Sequence, residues 1–117
     1  MTMDEFKKRF AAIGREMTEA EPENDLLFKK IWERLTRLML EDISLTIRFL
    51  DHAAKEEIEI ADSVFEDVAQ RIDSREYLDC LHRLCSKYPE IKPDVELAEA
   101  FMKDFRMKNK QEKGTLP

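Results

Sequence analysis

The chain has 117 residues, of which 43% are hydrophobic and 39% charged, and its net charge at pH 7 is −6. This composition is typical of a folded domain with its own hydrophobic core, and the acidic balance argues against binding to DNA or RNA. No apolar run approaches the roughly 18 residues of a membrane-spanning helix, and the N-terminus lacks the pattern of a signal peptide, so we expect a cytoplasmic protein.

Turn-forming residues are scarce, with only two glycines and four prolines, and this leaves few of the turns that a sheet requires. The sequence therefore predicts an all-α fold, a compact bundle of five to six antiparallel helices, with HEAT-like helical hairpins as the alternative. We assign one helical domain to residues 1–106 and a polar, frayed tail to residues 107–117.

The first helix is predicted over residues 3–19. Thr2 and Glu5 have the spacing of a capping box, whereas Gly14 lies inside the helical pattern, where a glycine costs about 1 kcal/mol relative to alanine. An apolar stripe at helical spacing supports the prediction. It consists of Phe6, Phe10, Ile13 and Met17.

The second helix, over about residues 25–40, has the strongest amphipathic pattern. Either Asn24 or Asp25 can cap it. Trp32 is assigned to its buried face, with the alternative that it anchors a partner if it is exposed. The helices that follow are separated by a break near residues 52–54 and by Asp73, with Ser74 and Pro89 as the cap and the stop of the fifth helix. The third helix is a short segment that holds Ile43, Ile47 and Leu50, and the fourth covers about residues 55–72. The fifth runs from Ser74 to Tyr88. The sixth begins at about residue 94, and its core stripe consists of Val95, Ala98, Phe101, Met102 and Phe105.

Two cysteines and a histidine share the predicted fifth helix, in the segment CLHRLC. At 100° per residue, Cys80 and His82 point about 160° apart and Cys80 and Cys85 about 140° apart. Side chains that diverge so widely cannot surround one tetrahedral zinc ion. We interpret both cysteines as small apolar residues beside the core stripe, and we expect neither a metal nor another cofactor.

Catalytic motifs are not evident elsewhere. The two histidines, His52 and His82, are far apart in the sequence, and His52 is interpreted as a surface or capping residue at a corner between helices. Two glycines cannot form a glycine-rich phosphate loop, and no Ser-His-Asp or Cys-His arrangement is recognisable. The sequence therefore predicts a protein that is not an enzyme.

The acidic charge is concentrated in residues 51–73, which contain eight acids and two bases and so account for the whole net charge. Four of these acids fall within about 60° of each other on a single helix over this segment. We call them the acidic ridge, and we predict that they dock a basic protein partner, since a charged surface accelerates such association. The acidic ridge consists of Glu59, Asp62, Glu66 and Asp73.

Two other interpretations of the acidic ridge are open. The ridge is an ordinary solvated face, or it pairs within the molecule with bases of the second helix, Lys30, Arg34 and Arg37. The only basic patch, at the C-terminal end, is interpreted as a solvated tail that complements a helix dipole. That patch consists of Lys103, Arg106, Lys108, Lys110 and Lys113.

The stretch over residues 47–90 resembles small, all-helical bacterial proteins of the immunity type. Because such proteins bind and block a cognate toxin, the resemblance implies a toxin partner, which the acidic ridge would suit if the toxin were a basic nuclease. Ala54 departs from the pattern, since a Ser or Thr cap would be natural there. The positions that carry the resemblance are Phe49-Leu50, Glu56-Glu57, Val64 to Val68, Ser74 and Tyr88-Pro89.

Two functional hypotheses therefore stand. In the first, the chain is a small acidic helical module that binds another protein, with toxin neutralisation as its most specific form. In the second, it is a structural or regulatory helical domain that self-associates, as a homodimer for example, through an apolar face, and the acids only keep it in solution.

Overall fold

In a computed structural model, the backbone is described for residues 1–114 and the side chains for residues 1–109. Every regular element in residues 1–114 is helical, which confirms the all-α prediction. The α-helices are α1 (Met3–Glu19), α2 (Asp25–Glu41), α3 (Ile43–Asp51), α4 (Lys55–Asp62), α5 (Phe65–Ala69), α6 (Arg75–Lys87) and α7 (Lys92–Gly114), with a 3-10 turn (Pro89–Ile91) before α7.

The chain divides into two compact units, Met1–Val64 and Phe65–Pro117. The first contains α1 to α4, and the second contains α5 to α7. The sequence predicted one domain over residues 1–106, with a tail from residue 107. Within the described residues, α7 continues through Gly114, so most of the predicted tail is helical, and residues 115–117 lie outside the description.

The core of unit 1 contains an aromatic cluster that joins α1 to α3. The Phe49 ring lies 5.0 Å from the ring of Phe6 and 4.7 Å from that of Phe10, centroid to centroid, in tilted arrangements. All three side chains are buried. In α3 the buried residues are Leu45, Thr46, Phe49 and Leu50. Ile43 and Ile47, which the sequence placed in this helix, are half-buried.

Helix starts in unit 1 follow the predicted capping chemistry. The Thr2 hydroxyl accepts the Glu5 amide at 3.2 Å, and the Glu5 carboxylate accepts the Thr2 amide at 3.4 Å, which completes the capping box. Asn24 caps α2 through its side-chain oxygen. Ala54 precedes α4 with no side-chain cap, but Glu57 accepts its amide at 2.9 Å and so supplies half of a capping box.

Gly14, which weakens α1 by propensity, lies where α1 meets α4. A Cβ atom built on Gly14 would lie 2.9 Å from Cδ1 of Ile60, closer than carbon atoms normally approach. Gly14 thus lets the α1 backbone pack closely against an α4 side chain, and because Cδ1 is the far end of the Ile60 side chain, a small shift of that side chain would accommodate an alanine.

One predicted helix is wrong, because the segment over 55–72 breaks at residues 63–64. The Ser63 hydroxyl donates to the Ile60 carbonyl at 2.6 Å, and the Val64 amide donates to the Ala61 carbonyl at 3.1 Å. These local bonds replace the helical pattern, a competition that serine side chains favour. Val64 is fully buried, which anchors the turn without a glycine or a proline.

Unit 2 packs α5 and α6 against α7. The Ser74 hydroxyl caps α6 by accepting the Tyr77 amide at 3.1 Å, and α6 ends just before Pro89, as predicted. On α7 the buried residues include Val95, Ala98 and Met102. Two residues of the predicted core stripe, Phe101 and Phe105, are only half-buried, so this side of α7 remains partly open to solvent.

Candidate functional site

The four acids of the predicted ridge do not lie on one helix. Glu59 and Asp62 belong to α4 in unit 1, Glu66 belongs to α5 in unit 2, and Asp73 lies in the segment that precedes α6. The prediction of one continuous face failed because the helix ends at Asp62.

Asp73 is engaged within unit 2. Its Oδ1 accepts hydrogen bonds from Arg106 Nε at 3.0 Å and Arg106 Nη2 at 2.8 Å. The carboxylate raises the pKa of Arg106 above its ordinary value, through the hydrogen bond first and the charge second. Because this guanidinium already balances the charge, Asp73 is poorly suited to supply docking charge to a partner.

The bases of α2 have partners other than the acidic ridge. Arg34 pairs with Glu16 of α1 at 2.7 Å, and Arg37 pairs with Glu33 one turn earlier at 3.0 Å. Intramolecular pairing of the ridge with these two arginines, one of the interpretations left open by the sequence, is therefore wrong. Neither Arg34 nor Arg37 therefore neutralises an acid of the acidic ridge.

Glu66 is the ridge acid with the most perturbed surroundings. It is half-buried on α5, and its pKa is raised by burial first, then by the charges of Asp94 and Asp67. No basic side chain of the described residues lies within 4.0 Å of its carboxylate. Repulsion among these acids is a cost that a cation from outside would relieve.

An apolar strip on α7 begins one turn after Asp94. One turn after Asp94 comes Leu97, whose side chain is 46% exposed, and the half-buried Phe101 follows at the next turn. Leu97 lies about 160° around the helix from the buried Val95, so the core does not cover it. We call Glu66, Asp94, Leu97 and Phe101 the docking face. It continues into a shallow groove of about 250 Å³ lined by Gln70, Phe101, Asp104, Phe105 and Lys108.

Asp94 and Leu97 belong to the docking face but were not predicted from the sequence. Asp94 is distant in sequence from Glu66, and only the packing of α5 against α7 brings the two together. Leu97 offered a signal, since an apolar residue off the core stripe indicates a second face.

Replacing Glu66 with glutamine is expected to raise the free energy of unfolding at pH 7 by about 0.2–0.5 kcal/mol, because a like-charge contact is removed. The pKa of Glu66 in the folded state lies above the ordinary 4.5, so the folded protein binds the proton more tightly than the unfolded chain does. Stability therefore falls as pH rises through this window. The gain should disappear near pH 3, where both forms of the chain are protonated.

Thermal unfolding at both pH values checks this expectation. The matched control is Glu96→Gln on α7, where the carboxylate lies 4.0 Å from Lys92 in a favourable pair, so no gain is expected. An equal gain in both variants would show that the effect comes from net charge and not from the acids around Glu66.

The two cysteines of α6 lie in or beside the core, as predicted. Cys80 is buried and Cys85 half-buried, while His82 is exposed with its Nε2 atom 3.2 Å from Glu99 Oε2. Among the described residues there is no group of three or more His, Cys, Asp or Glu side chains able to hold a metal ion. Within this segment Cys80 packs in the core, and His82 contacts Glu99 at the surface.

His52 acts as a capping residue at the corner that follows α3, as predicted. Its Nδ1 atom lies 3.0 Å from the Arg48 carbonyl oxygen. Because a carbonyl only accepts, Nδ1 carries the proton, and Nε2 is left for other partners. The bond fixes the ring at the C-terminal end of the helix, where it satisfies a terminal carbonyl.

Comparison with known proteins yields no matching family model, no matching curated protein and no matching solved structure. None of the helices in the described part of the chain has the length and hydropathy needed to cross a bilayer.

Proposed function

We propose that this chain is a non-catalytic protein-binding module, and that unit 2 binds a basic partner through the docking face. The observation that carries the proposal is the half-buried carboxylate of Glu66, whose pKa is raised by burial first and then by the charges of Asp94 and Asp67, while no described base lies within 4.0 Å of it. A lysine or arginine from a partner would replace this repulsion with attraction.

The apolar part of the docking face supports the same function. Leu97 is 46% exposed and Phe101 is half-buried, so together they offer apolar surface beside charge. Interfaces commonly combine an apolar centre with a charged rim that selects the partner and speeds association. We therefore expect the partner to present an apolar side chain between basic residues.

Toxin neutralisation is the most specific form of this proposal. It rests on the resemblance of residues 47–90 to immunity-type proteins and on the acidic character of Glu66 and Asp94. A basic nuclease toxin would present to this surface the same positive charge that it uses on phosphates. Glu59 of α4, which is exposed, remains a proposed contact.

Self-association is the second candidate, and exposed apolar residues on α2 favour it. Leu26 is 66% exposed, Leu27 39% and Trp32 37%, so Trp32 does not lie in the core as the sequence predicted. The Trp32 ring packs against Phe28 with a centroid distance of 5.5 Å. A second copy of the chain could cover this face, and burial of apolar surface would drive the association.

Affinity capture at two salt concentrations separates these candidates. The tagged chain is exposed to a lysate of its source organism at about 0.1 M and about 1 M salt, between which the Debye length falls from about 10 Å to about 3 Å. We expect a basic protein to be retained at low salt and released at high salt. Absence of such a protein, together with salt-independent dimers in sedimentation, would contradict the proposal and favour self-association.

A further inference from the structure

A half-open groove is formed by residues of unit 1, whereas the proposed docking face belongs to unit 2. Its volume is about 570 Å³, within the range of roughly 300–1,000 Å³ that is typical of small-molecule sites. α1, α3 and the start of α4 form its walls. The lining residues are Met3, Lys7, Ala11, Arg48, Phe49, His52, Ala53 and Glu57.

The apolar floor of the groove is held by the core. Phe49 and Ala53 are 3% and 7% exposed, and the Phe49 ring is fixed by the rings of Phe6 and Phe10. Ala11 lies two turns after Met3 on α1, and its small side chain leaves the space open. A floor fixed in this way is formed before any ligand arrives, which reduces the entropic cost of binding.

The rim of the groove is positively charged although the protein as a whole is acidic. Lys7 and Arg48 both line it, and no acid of the described residues lies within 4.0 Å of either side-chain charge. The one acid in the lining, Glu57, accepts the Ala54 amide and is part of the α4 cap. The His52 Nε2 atom adds one more polar group to the lining.

We infer that this groove binds a small amphipathic anion, namely a medium-chain carboxylate. The apolar chain lies on Phe49, Ala53 and Ala11, and the carboxylate binds between Lys7 and Arg48. Charge complementarity selects the anion, because a guanidinium binds a carboxylate through two parallel hydrogen bonds. This inference does not depend on the proposed protein-binding function, which concerns unit 2.

Calorimetric titration with decanoate, below its micelle concentration, tests the inference. We expect one molecule to bind per chain, and decanol, which has the same chain without the charge, to bind at least about tenfold more weakly, since hydrogen bonds to charged groups contribute most of the specificity. Absence of decanoate binding, or equal binding of decanol, would overturn the inference.

Two pairs of variants locate the site. The double variant Lys7→Gln/Arg48→Gln should weaken decanoate binding by roughly tenfold or more, whereas Arg15→Gln, which removes an exposed charge of α1 outside the groove, should not. Ala11→Leu should block the groove with the charges intact, and Ala12→Leu, on another side of α1, should leave binding unchanged.

Circular dichroism confirms that each variant is folded before titration. Retention of full affinity in both the double variant and Ala11→Leu would place decanoate elsewhere and overturn the site. Loss of affinity in the controls Arg15→Gln and Ala12→Leu would do the same, because it would indicate nonspecific adsorption to the whole surface.

Discussion

Replacing Phe49 with alanine is expected to lower the free energy of unfolding by about 3–5 kcal/mol. The ring is 3% exposed and contacts the rings of Phe6 and Phe10 at centroid distances of 5.0 and 4.7 Å. Its removal costs the transfer energy of the ring, leaves a cavity between α1 and α3, and also removes two aromatic contacts. Urea unfolding followed by circular dichroism measures the change.

Leu26→Ala is the matched control for this substitution. Leu26 is also a large apolar residue of unit 1, but its side chain is 66% exposed, so we expect a change within about 0.5 kcal/mol. If Phe49→Ala costs no more than Leu26→Ala, the aromatic cluster does not hold α1 against α3, and the fixed floor of the groove in unit 1 loses its support.

Helix ends could be predicted from the sequence because the chemistry that ends a helix is local. Thr2 with Glu5, Asn24, Ser74 and Pro89 each act within about one turn, and each occupies the predicted role. A capping bond needs no information from distant parts of the chain. For the same reason the all-α class followed from the scarcity of breakers and the helical spacing of apolar residues.

The break between α4 and α5 could not be predicted in this way. Ser63 has no strong preference against a helix, and the apolar spacing continues through it from Ile58 to Val68. The turn exists because Val64 and Phe65 are both fully buried in the folded chain. Tertiary packing thus overrides a periodic pattern, and this one turn divides the predicted acidic ridge.

Interactions between charged residues that are distant in sequence explain why the candidate site differs from the predicted acidic ridge. Asp73 looked available for docking, yet Arg106, far along the chain, binds it in the folded protein. Asp94 looked unremarkable, yet α7 places it near Glu66. Charge counts along a sequence give the total but not the pairing, so they identify an acidic protein more reliably than an acidic surface.

The variants Glu66→Lys and Asp94→Lys are each expected to weaken binding of the basic partner by at least about tenfold. Loss of an attractive pair at an interface, together with the new repulsion, costs roughly 2–5 kcal/mol when the pair is desolvated and less at the rim. Glu66 and Asp94 are both half-buried, so their two lysine variants should show effects of similar size. Surface plasmon resonance with the purified partner measures the dissociation constants.

The control for these variants is Glu96→Lys, which makes the same charge change on α7 at an exposed position about 160° around the helix from Asp94. It should alter binding only slightly, through the weaker field of the whole protein. Equal losses in all three variants would mean that net charge, and not the docking face, attracts the partner. A loss confined to Glu59→Lys would move the proposed contact to α4 in unit 1. The proposal predicts that only Glu66→Lys and Asp94→Lys weaken binding of the partner. It also predicts that the difference between these variants and the unchanged protein becomes smaller as the salt concentration rises.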